Sequence, residues 1–429
     1  MQLSPFSENH LRCCIRSGDS AKFNIDLDTE RERLLSETQS KIKTNTLVFD
    51  QREVILSKGR KLFLVENYHG ALALRATARS LNRQFGVHAG NRDAIVRAVI
   101  ETLFDATPSY LLRCDIQSFF ENVDAESILQ EIQKSTRTHP HIKEVLRRLR
   151  EESLLGGATK GVPRGLGLST TLAELALREL DRKVRQIPGV YRYFRFADDI
   201  LVFSIGKVDP VKAEIEEILK PSLSLNNKTE TVTLHSLPDT EQRPCTQAAS
   251  TFSYLGYRFE CQNGIRARKS RRLQVCISDN KVAVRKTRVI LSLKAFMKDK
   301  NTNLLIDRIR YLTSNFEITK SGHSHGSSKA KVKTGIFYNY HQCGEYEHGK
   351  FGPRLTSTDL DELKKLDGFL SALLWGSGSE FRDSIKAALT PQQILDLKKL
   401  SFLQGFQKKM TIRFTRSTVS QIRKAWQYA

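Results

Sequence analysis

The sequence predicts an α+β protein with a helical C-terminal region. Short runs of bulky and aromatic residues between about residues 110 and 260 are typical of β-strands. Longer segments before and after them repeat apolar residues at helical spacing, as the leucines from Leu360 to Leu373 do. With 429 residues the chain can bury more than one core, so we expect two or three domains.

The composition indicates a polyanionic partner. Lys and Arg number 69 against 47 Asp and Glu, which gives a net charge of +22. Such a surplus makes nucleic acid the expected partner, with an anionic membrane surface second. We expect no membrane span and no secretory signal, because no long apolar run and no signal pattern is present. The seven scattered cysteines form no Cys-x-x-Cys pair, which argues against a zinc site and a disulfide framework and favours a reducing cytoplasm.

Two adjacent aspartates, Asp198 and Asp199, separate an aromatic run that includes Tyr193 from an apolar run that ends at Phe203. Both flanks predict strands, and Asp favours turns, so the pair is expected at the tip of a tight hairpin. Adjacent carboxylates repel each other, and a divalent cation such as Mg²⁺ would neutralise them. The alternative is an ordinary solvated turn.

A third acid, Asp115, ends the apolar run that begins at Tyr110 and precedes two aromatic residues. Either it caps the following helix or it is functional, because a buried and unpaired Asp is costly. Two adjacent strands would bring Asp115 to Asp198. The two carboxylates could then hold two Mg²⁺ ions about 4 Å apart, an arrangement suited to in-line attack at phosphorus.

Between these acids lies a Gly-rich segment, Lys160 to Ser169, that predicts irregular backbone which another chain can approach closely. It is not a Walker loop, since no Gly-Lys-Ser/Thr follows. An ordinary helix lead-in is the alternative. Thr171 and Glu174 fit a capping box for the next helix, which should end at Pro188.

The C-terminal half is strongly basic. One helix is predicted near residues 210 to 220. A second, basic helix is predicted to begin at Asp279. It carries Arg285 and Arg288, which could follow a nucleic-acid backbone. The Gly/Ser-rich segment 321–328 is predicted to be a flexible loop whose histidines bind no metal. The aromatic residues of 335–341 are expected to pack in a core rather than stack on bases.

Five of these motifs resemble, in their order, the motifs of bacterial reverse transcriptases. The usual glutamine and tyrosine of the second and third motifs are replaced by Arg164 and Phe196. The motifs are Asp115 to Phe120, Pro163 to Ser169, Phe196 to Asp199, Lys228, and the primer-grip segment Phe252 to Phe259.

The resemblance implies a right-hand polymerase. Its parts would be an N-terminal region with fingers (1–105), a palm with finger insertions (106–260), a basic thumb (261–320) and a helical C-terminal region (321–429). As an enzyme it would be a nucleotidyltransferase, an RNA-directed DNA polymerase.

The resemblance also implies the roles of the site residues. Asp115 and Asp198 would bind two Mg²⁺ ions, with Mn²⁺ as an alternative, supported by Asp199 and the backbone carbonyl of Ile116. Phe120 would exclude a 2′-hydroxyl and so select dNTPs. The residues that would contact the nucleotide are Arg164, Gly165 and Lys228. Those that would contact the primer and nucleic acid are Tyr254, Leu255, Gly256, Arg285 and Arg288. The candidates for a triphosphate site in the fingers are Arg75 and Arg79.

Two segments, 91–93 and 335–340, resemble the defence-associated reverse transcriptases of bacteria, with retron enzymes as the nearest relatives. This implies a cytoplasmic antiphage protein with a non-coding RNA template, a DNA product and often a partner protein or homo-oligomer. The alternatives are a template-independent or protein-primed polymerase and a non-catalytic RNA-binding scaffold. The three aspartates argue against the scaffold, because unpaired buried acids would destabilise it.

Overall fold

The computed structural model describes residues 4–16, 19–55, 61–151, 161–265, 271–319, 331–346 and 360–426. The predicted histidine-containing loop 321–328 lies outside the described residues. None of the helices in these ranges combines the length and apolar character that a membrane crossing requires. The helices are α1 (Glu8–Arg12), α2 (Asp19–Phe23), α3 (Arg31–Lys43), α4 (Tyr68–Phe85), α5 (Arg92–Leu103), α6 (Phe119–Asn122), α7 (Ala125–Lys134), α8 (Pro140–Glu151), α9 (Ser169–Val184), α10 (Asp209–Leu219), α11 (Asp279–Asp299), α12 (Thr302–Thr313), α13 (Asp361–Trp375), α14 (Arg382–Ala388), α15 (Pro391–Lys398), α16 (Phe402–Gln407) and α17 (Arg416–Lys424).

The strands are mostly short and lie between and around these helices. They pair into sheets of two to four strands. In chain order they are β1 (Gln51–Ile55), β2 (Lys61–Val65), β3 (Ser109–Asp115), β4 (Val190–Phe196), β5 (Asp199–Ser204), β6 (Glu230–Leu234), β7 (Leu237–Pro238), β8 (Ser250–Tyr254), β9 (Tyr257–Cys261), β10 (Gly264–Ile265), β11 (Leu273–Ile277), β12 (Asn315–Thr319), β13 (Lys331–Gly335), β14 (Gly344–Tyr346) and β15 (Thr411–Ile412).

The chain divides into two compact units. Unit 1 is formed mainly by Met1–Ile95 and Tyr110–Thr231, and unit 2 mainly by Val232–Ile318 and Lys331–Ala429. The predicted α+β class is confirmed by this mixture of helices and antiparallel sheets. The four-part division into fingers, palm, thumb and C-terminal region stays a prediction.

A four-stranded sheet with the order β4-β5-β3-β6 carries the three aspartates. Strand β3 pairs antiparallel with β5, so that Asp115 lies opposite Asp199. Strand β4 pairs with β5, and only Ala197 and Asp198 connect them. The predicted hairpin and the predicted adjacency of the two acidic strands are both confirmed. The apolar residues 200–203 of β5 are fully buried, which anchors the hairpin in the core of unit 1.

One buried guanidinium fixes this hairpin to helix α9. Arg195 Nη2 donates to Glu174 Oε2 at 2.7 Å, and its Nε donates to Asp181 Oδ1 at 2.6 Å. Arg195 Nη1 also donates to the carbonyl of Ala197 at 3.1 Å. Ala197 has a φ of 54°, a left-handed conformation that is unfavourable for a residue with a Cβ. The ion pairs therefore hold the turn that presents the aspartates.

The predicted capping box at the start of α9 is wrong. No side chain caps the helix, which begins at Ser169. The Ser169 hydroxyl donates to the carbonyl of Pro163 instead. Glu174 is drawn to Arg195, because a buried guanidinium binds a carboxylate more strongly than a backbone amide does.

The Gly-rich segment packs closely against its own chain. The Val162 amide donates to the carbonyl of Phe120 at 2.6 Å, and the Phe63 amide donates to the carbonyl of Arg164 at 2.8 Å. Gly165 has a φ of 98°, and a Cβ there would lie 2.6 Å from the Phe63 carbonyl oxygen. The close approach at Gly165 is to β2 of the same chain, and it fixes Arg164 next to Phe120. The approach of another chain stays a prediction.

In unit 2, β8 and β9 form the second predicted hairpin. Its two-residue turn consists of Leu255 and Gly256, with φ of 48° and 85°. Two positive φ values suit a type I′ turn, which favours Asn or Gly over a bulky residue. A leucine at this position therefore carries backbone strain.

Replacing Arg195 with methionine should destabilise the protein. The change would leave the buried carboxylate of Glu174 and the half-buried carboxylate of Asp181 without their counter-charge, at a cost of about 3–5 kcal/mol in the free energy of unfolding. Urea denaturation measures this loss. Arg192→Met is the matched control, because Arg192 is exposed on the same strand and should shift the value by less than about 0.5 kcal/mol. Equal losses in the two variants would contradict the anchoring role.

Candidate active site

The three aspartates concentrate negative charge at one edge of the unit 1 sheet. The amide of Ile116 donates to the carbonyl of Asp198 at 3.1 Å, which ties the end of β3 to the hairpin turn. Burial, together with the negative charges of Asp198 and Asp199, raises the pKa of Asp115 to about 6. Arg113 opposes this shift. The repulsion that the sequence predicted is therefore present.

Two neighbours of the aspartates were not predicted as site residues. Asn226 Nδ2 donates to Asp115 Oδ2 at 2.7 Å, and the Asn226 amide donates to the carbonyl of Asp115 at 2.8 Å. Arg113 lies between two carboxylates, with nitrogen–oxygen distances of 3.8 Å to Asp199 and 3.7 Å to Glu230. Asn226 therefore fixes the orientation of the Asp115 carboxylate, whereas Arg113 places a positive charge near Asp199 and Glu230.

The donor set suits a hard divalent cation. In the described ranges, no three side chains of His, Cys, Asp or Glu converge as a ready metal cluster. Asp115 accepts a hydrogen bond from Asn226, and an oxygen of Asp199 lies 3.8 Å from Arg113 Nη2. Carboxylate oxygens nevertheless fit Mg²⁺, which takes one or two protein carboxylates and completes its shell with water and substrate phosphates. A bound cation would also relieve the charge repulsion that raises the pKa of Asp115.

Lys228 is placed beside this edge by the loop that carries Asn226. Its amide donates to Asn226 Oδ1 at 2.6 Å, and its exposed ammonium group acts to lower the pKa of Asp115. The structure thus gathers five of the predicted residues at one sheet edge. They are Asp115, Ile116, Asp198, Asp199 and Lys228.

A second group of predicted residues surrounds Phe120. The guanidinium of Arg164 lies over the Phe120 ring, 4.5 Å from its centroid. Glu121 holds it there with two hydrogen bonds, from Nε at 2.9 Å and from Nη2 at 3.2 Å. Phe119 is buried and packs edge-on against Phe120 with the centroids 5.3 Å apart. The ring is therefore fixed on two sides, and Glu121 is a further residue of this group that the sequence did not indicate.

The predicted nucleic-acid contacts in unit 2 differ in accessibility. Tyr254 is buried in the sheet, whereas the turn residues Leu255 and Gly256 are partly exposed. Helix α11 is confirmed from Asp279. Arg285 packs against the Tyr340 ring at 5.3 Å, and burial lowers its pKa, whereas Arg288 is exposed and lies 5.4 Å from the Trp426 ring centroid.

The two candidate arginines of the triphosphate site have different surroundings. Arg75 is buried and makes a bidentate ion pair with Asp19, at 2.6 and 2.9 Å. Its charge is thereby neutralised within the protein. Arg79 is exposed and lines a cavity that no residue of the aspartate group borders.

Residues 82–259 match the family model for reverse transcriptase, described as an RNA-dependent DNA polymerase. This segment of the chain is therefore similar to a reverse transcriptase domain. Such domains are nucleotidyltransferases that generally use divalent metal ions, typically Mg²⁺. The match also confirms the right-hand polymerase fold, and the matched range includes all three aspartates.

Two solved structures are also similar to the chain. Apo telomerase from Candida tropicalis, truncated from its C-terminal domain, shares 10% identity over 49% of this chain, with a TM-score of 0.33. Telomerase from Candida albicans, in complex with a TWJ fragment of telomeric RNA, shares 9% identity over 95% of this chain, with a TM-score of 0.32. The chain spans 45% and 60% of the lengths of these two chains. No curated protein matches it significantly.

The Asn226→Ala variant should slow nucleotide incorporation without unfolding the protein. Losing the hydrogen bond that orients Asp115 should lower kcat roughly 10- to 100-fold, as for other groups that orient a metal ligand. Single-turnover incorporation of dNTPs measures the effect, and the KM for dNTP should change little. Asn227→Ala is the control, because its neighbouring side chain is exposed and should leave the rate unchanged. Equal rates for Asn226→Ala and the wild type would contradict the role of Asn226.

Proposed function

We propose that the protein is an active RNA-directed DNA polymerase that extends a primer or a protein hydroxyl with dNTPs on a dedicated non-coding RNA template. The observation that carries this proposal is the meeting of Asp115 with Asp198 and Asp199 at one sheet edge, inside the matched reverse transcriptase domain. A non-catalytic scaffold would gain nothing from keeping these repelling carboxylates together. The net charge of +22 suits a polyanionic template and product.

The proposed catalytic residues are those that would hold two Mg²⁺ ions. Asp115 and Asp198 supply carboxylates, Ile116 supplies its backbone carbonyl, and Asp199 supports them. When bound, the metal ions lower the pKa of the attacking hydroxyl and stabilise the leaving oxygen. Asn226 keeps the Asp115 carboxylate in a fixed orientation while substrate binds.

Phe120, Arg164 and Lys228 are the proposed nucleotide contacts. The Phe120 ring would lie under the sugar and exclude a 2′-hydroxyl, so that dNTPs are selected. Glu121 holds the Arg164 guanidinium over that ring. This contact keeps the ring in place and puts the guanidinium at the edge of the proposed nucleotide site. Gly165 has no Cβ, which allows the backbone next to Arg164 to lie close to β2. The exposed ammonium group of Lys228 is available to the phosphates.

The proposed nucleic-acid contacts in unit 2 are the turn at Leu255 and Gly256 and the exposed Arg288. Strain at Leu255 supports a functional role for that turn, since a bulky residue at positive φ is retained against its conformational cost. Tyr254 and Arg285 would act indirectly. Tyr254 packs beneath the turn, and Arg285 packs against Tyr340.

The proposed biological role is antiphage defence in the bacterial cytoplasm, with a partner protein or homo-oligomer. It is supported by the resemblance of segments 91–93 and 335–340 to defence-associated reverse transcriptases. Asn91 has a structural function, because its side chain accepts hydrogen bonds from the amides of Asp93 and Ala94 at the start of α5. In the second segment, Ile336 and Tyr340 are buried, as core packing requires.

Labelled dNTP incorporation by protein purified with its co-expressed RNA tests the proposed activity. We expect Mg²⁺-dependent incorporation by the wild type and none by Asp198→Ala, because the change would remove one of the two carboxylates proposed to hold the metal ions. Asp209→Ala is the control, since Asp209 is exposed at the start of α10 and should retain full activity.

The RNA arm of that experiment separates the alternatives. Incorporation that ends when RNase removes the RNA supports templated synthesis. Incorporation that continues would favour a template-independent polymerase. No incorporation with any RNA, dNTP or rNTP would favour the RNA-binding scaffold.

Glu121→Gln should weaken the discrimination against rNTPs. The change removes the charge that holds Arg164 over Phe120, so the ring can move away from the sugar. We expect the ratio of kcat/KM for dNTP to that for rNTP to fall roughly tenfold, equivalent to about 1.4 kcal/mol. Steady-state kinetics with matched dNTP and rNTP measure the ratio. Glu126→Gln should keep the wild-type ratio, because Glu126 contacts Arg150 and Gln130 at the surface and neither belongs to the Phe120 group. A ratio that also stays unchanged in Glu121→Gln would remove Glu121 from nucleotide selection.

A further inference from the structure

A cationic cavity lies in unit 1, away from the aspartates. It has a volume of about 750 Å³ and is open to solvent. The segment 4–13, helix α4 and the residues around the start of α8 line it. Among the described lining residues there is no Asp or Glu. The five basic residues that line it are His10, Arg79, Arg83, Arg137 and His139.

The arginines of this cavity have no carboxylate partner among the described residues. Arg79 and Arg83 are one helical turn apart on α4, and both are exposed. Like charges at this spacing on a helix destabilise it by a few tenths of a kcal/mol, roughly as much as an opposite-charge pair would stabilise it. Arg137 adds a third positive charge from a different segment. An anion bound among the three would remove this repulsion.

The two histidines add neutral hydrogen-bonding groups. Burial lowers the pKa of His10, and the charges of Arg79 and Arg83 lower it further, which favours the neutral ring. Its Nε2 is buried without a hydrogen-bond partner among the described residues. His139 Nδ1 accepts a hydrogen bond from the His141 amide at 3.2 Å, which leaves the proton of the neutral ring on Nε2.

The cavity wall is also fixed before any ligand binds. Gln84 Nε2 donates to the hydroxyls of Ser135 at 3.2 Å and of Thr138 at 2.7 Å. These bonds hold the segment that carries Arg137 and His139 against α4. The cationic groups are therefore arranged together by the fold and not only by chance proximity on a flexible surface.

We propose that this cavity is a phosphate-binding site, separate from the aspartate group, that takes the backbone phosphates of single-stranded RNA. Three guanidinium groups with two imidazoles match the charge and hydrogen-bond acceptors of phosphate oxygens. Backbone phosphates are favoured over a free nucleotide because the cavity is open and its five basic side chains meet no Asp or Glu among the described lining residues. The site would hold RNA on the N-terminal part of the chain.

The variant Arg79→Gln/Arg83→Gln tests the site, with Arg192→Gln/Lys207→Gln as the control of equal charge. Both control residues are exposed on unit 1 and border no part of the cavity. Binding of a labelled single-stranded RNA is measured at several salt concentrations. The cavity variant should lower the slope of log K against log salt by about 1.4, or about 0.7 for each lost phosphate contact. The control should keep the wild-type slope.

Calorimetric titration with inorganic pyrophosphate distinguishes the source of the phosphate. A reduced RNA slope supports the backbone of RNA as the ligand. Loss of pyrophosphate binding with an unchanged RNA slope would keep a phosphate site but reject RNA as its ligand. If the cavity variant matches the control in both measurements, no phosphate site exists. Since the polymerase activity enters neither measurement, the result is independent of the proposed catalysis.

Discussion

The presentation of the aspartates depends on the buried guanidinium of Arg195. It bridges the β4–β5 hairpin to α9 through Glu174 and Asp181, and it binds the carbonyl of the strained Ala197. Two carboxylates and one guanidinium leave a net negative charge inside the protein, which is tolerated because the guanidinium makes several hydrogen bonds to the two carboxylates. The turn can therefore adopt a conformation that would be unfavourable in isolation. It can also carry two adjacent acids in that conformation.

The aspartate group is arranged by opposing electrostatic effects. Burial and mutual repulsion favour the protonated form of Asp115, while Arg113 and Lys228 favour the ionised form. The protein thus supplies too little positive charge to compensate its own carboxylates. A divalent cation would supply the missing positive charge, and the hydrogen bond from Asn226 to Asp115 adds none because Asn226 is neutral.

Much of the fold and part of the site could be predicted from local patterns. The hairpin at Asp198, the helix that begins at Asp279 and the pairing of the two acidic strands follow from the alternation of apolar runs and turn residues. Arg113 could have been found, because it lies two residues before Asp115 on a strand and so shares its face. Asn226 could not, since its contact with Asp115 depends on a loop that returns from a distant part of the chain. The predicted capping box is wrong for a similar reason, because Glu174 is hydrogen-bonded to Arg195 on a different element.

Only part of the positive charge in the sequence is accessible to a polyanion. Arg195 and Arg75 are consumed by buried ion pairs, and Arg271 is fully buried with hydrogen bonds to backbone carbonyls. Burying an arginine is costly unless its donors are satisfied, so such residues stabilise the fold and are unavailable to a ligand. The arginines that can act on nucleic acid are those that the fold leaves exposed and without carboxylates. In unit 1 the cluster at Arg79 and Arg83 has both properties, which neither the count of charges nor their positions in the sequence could reveal.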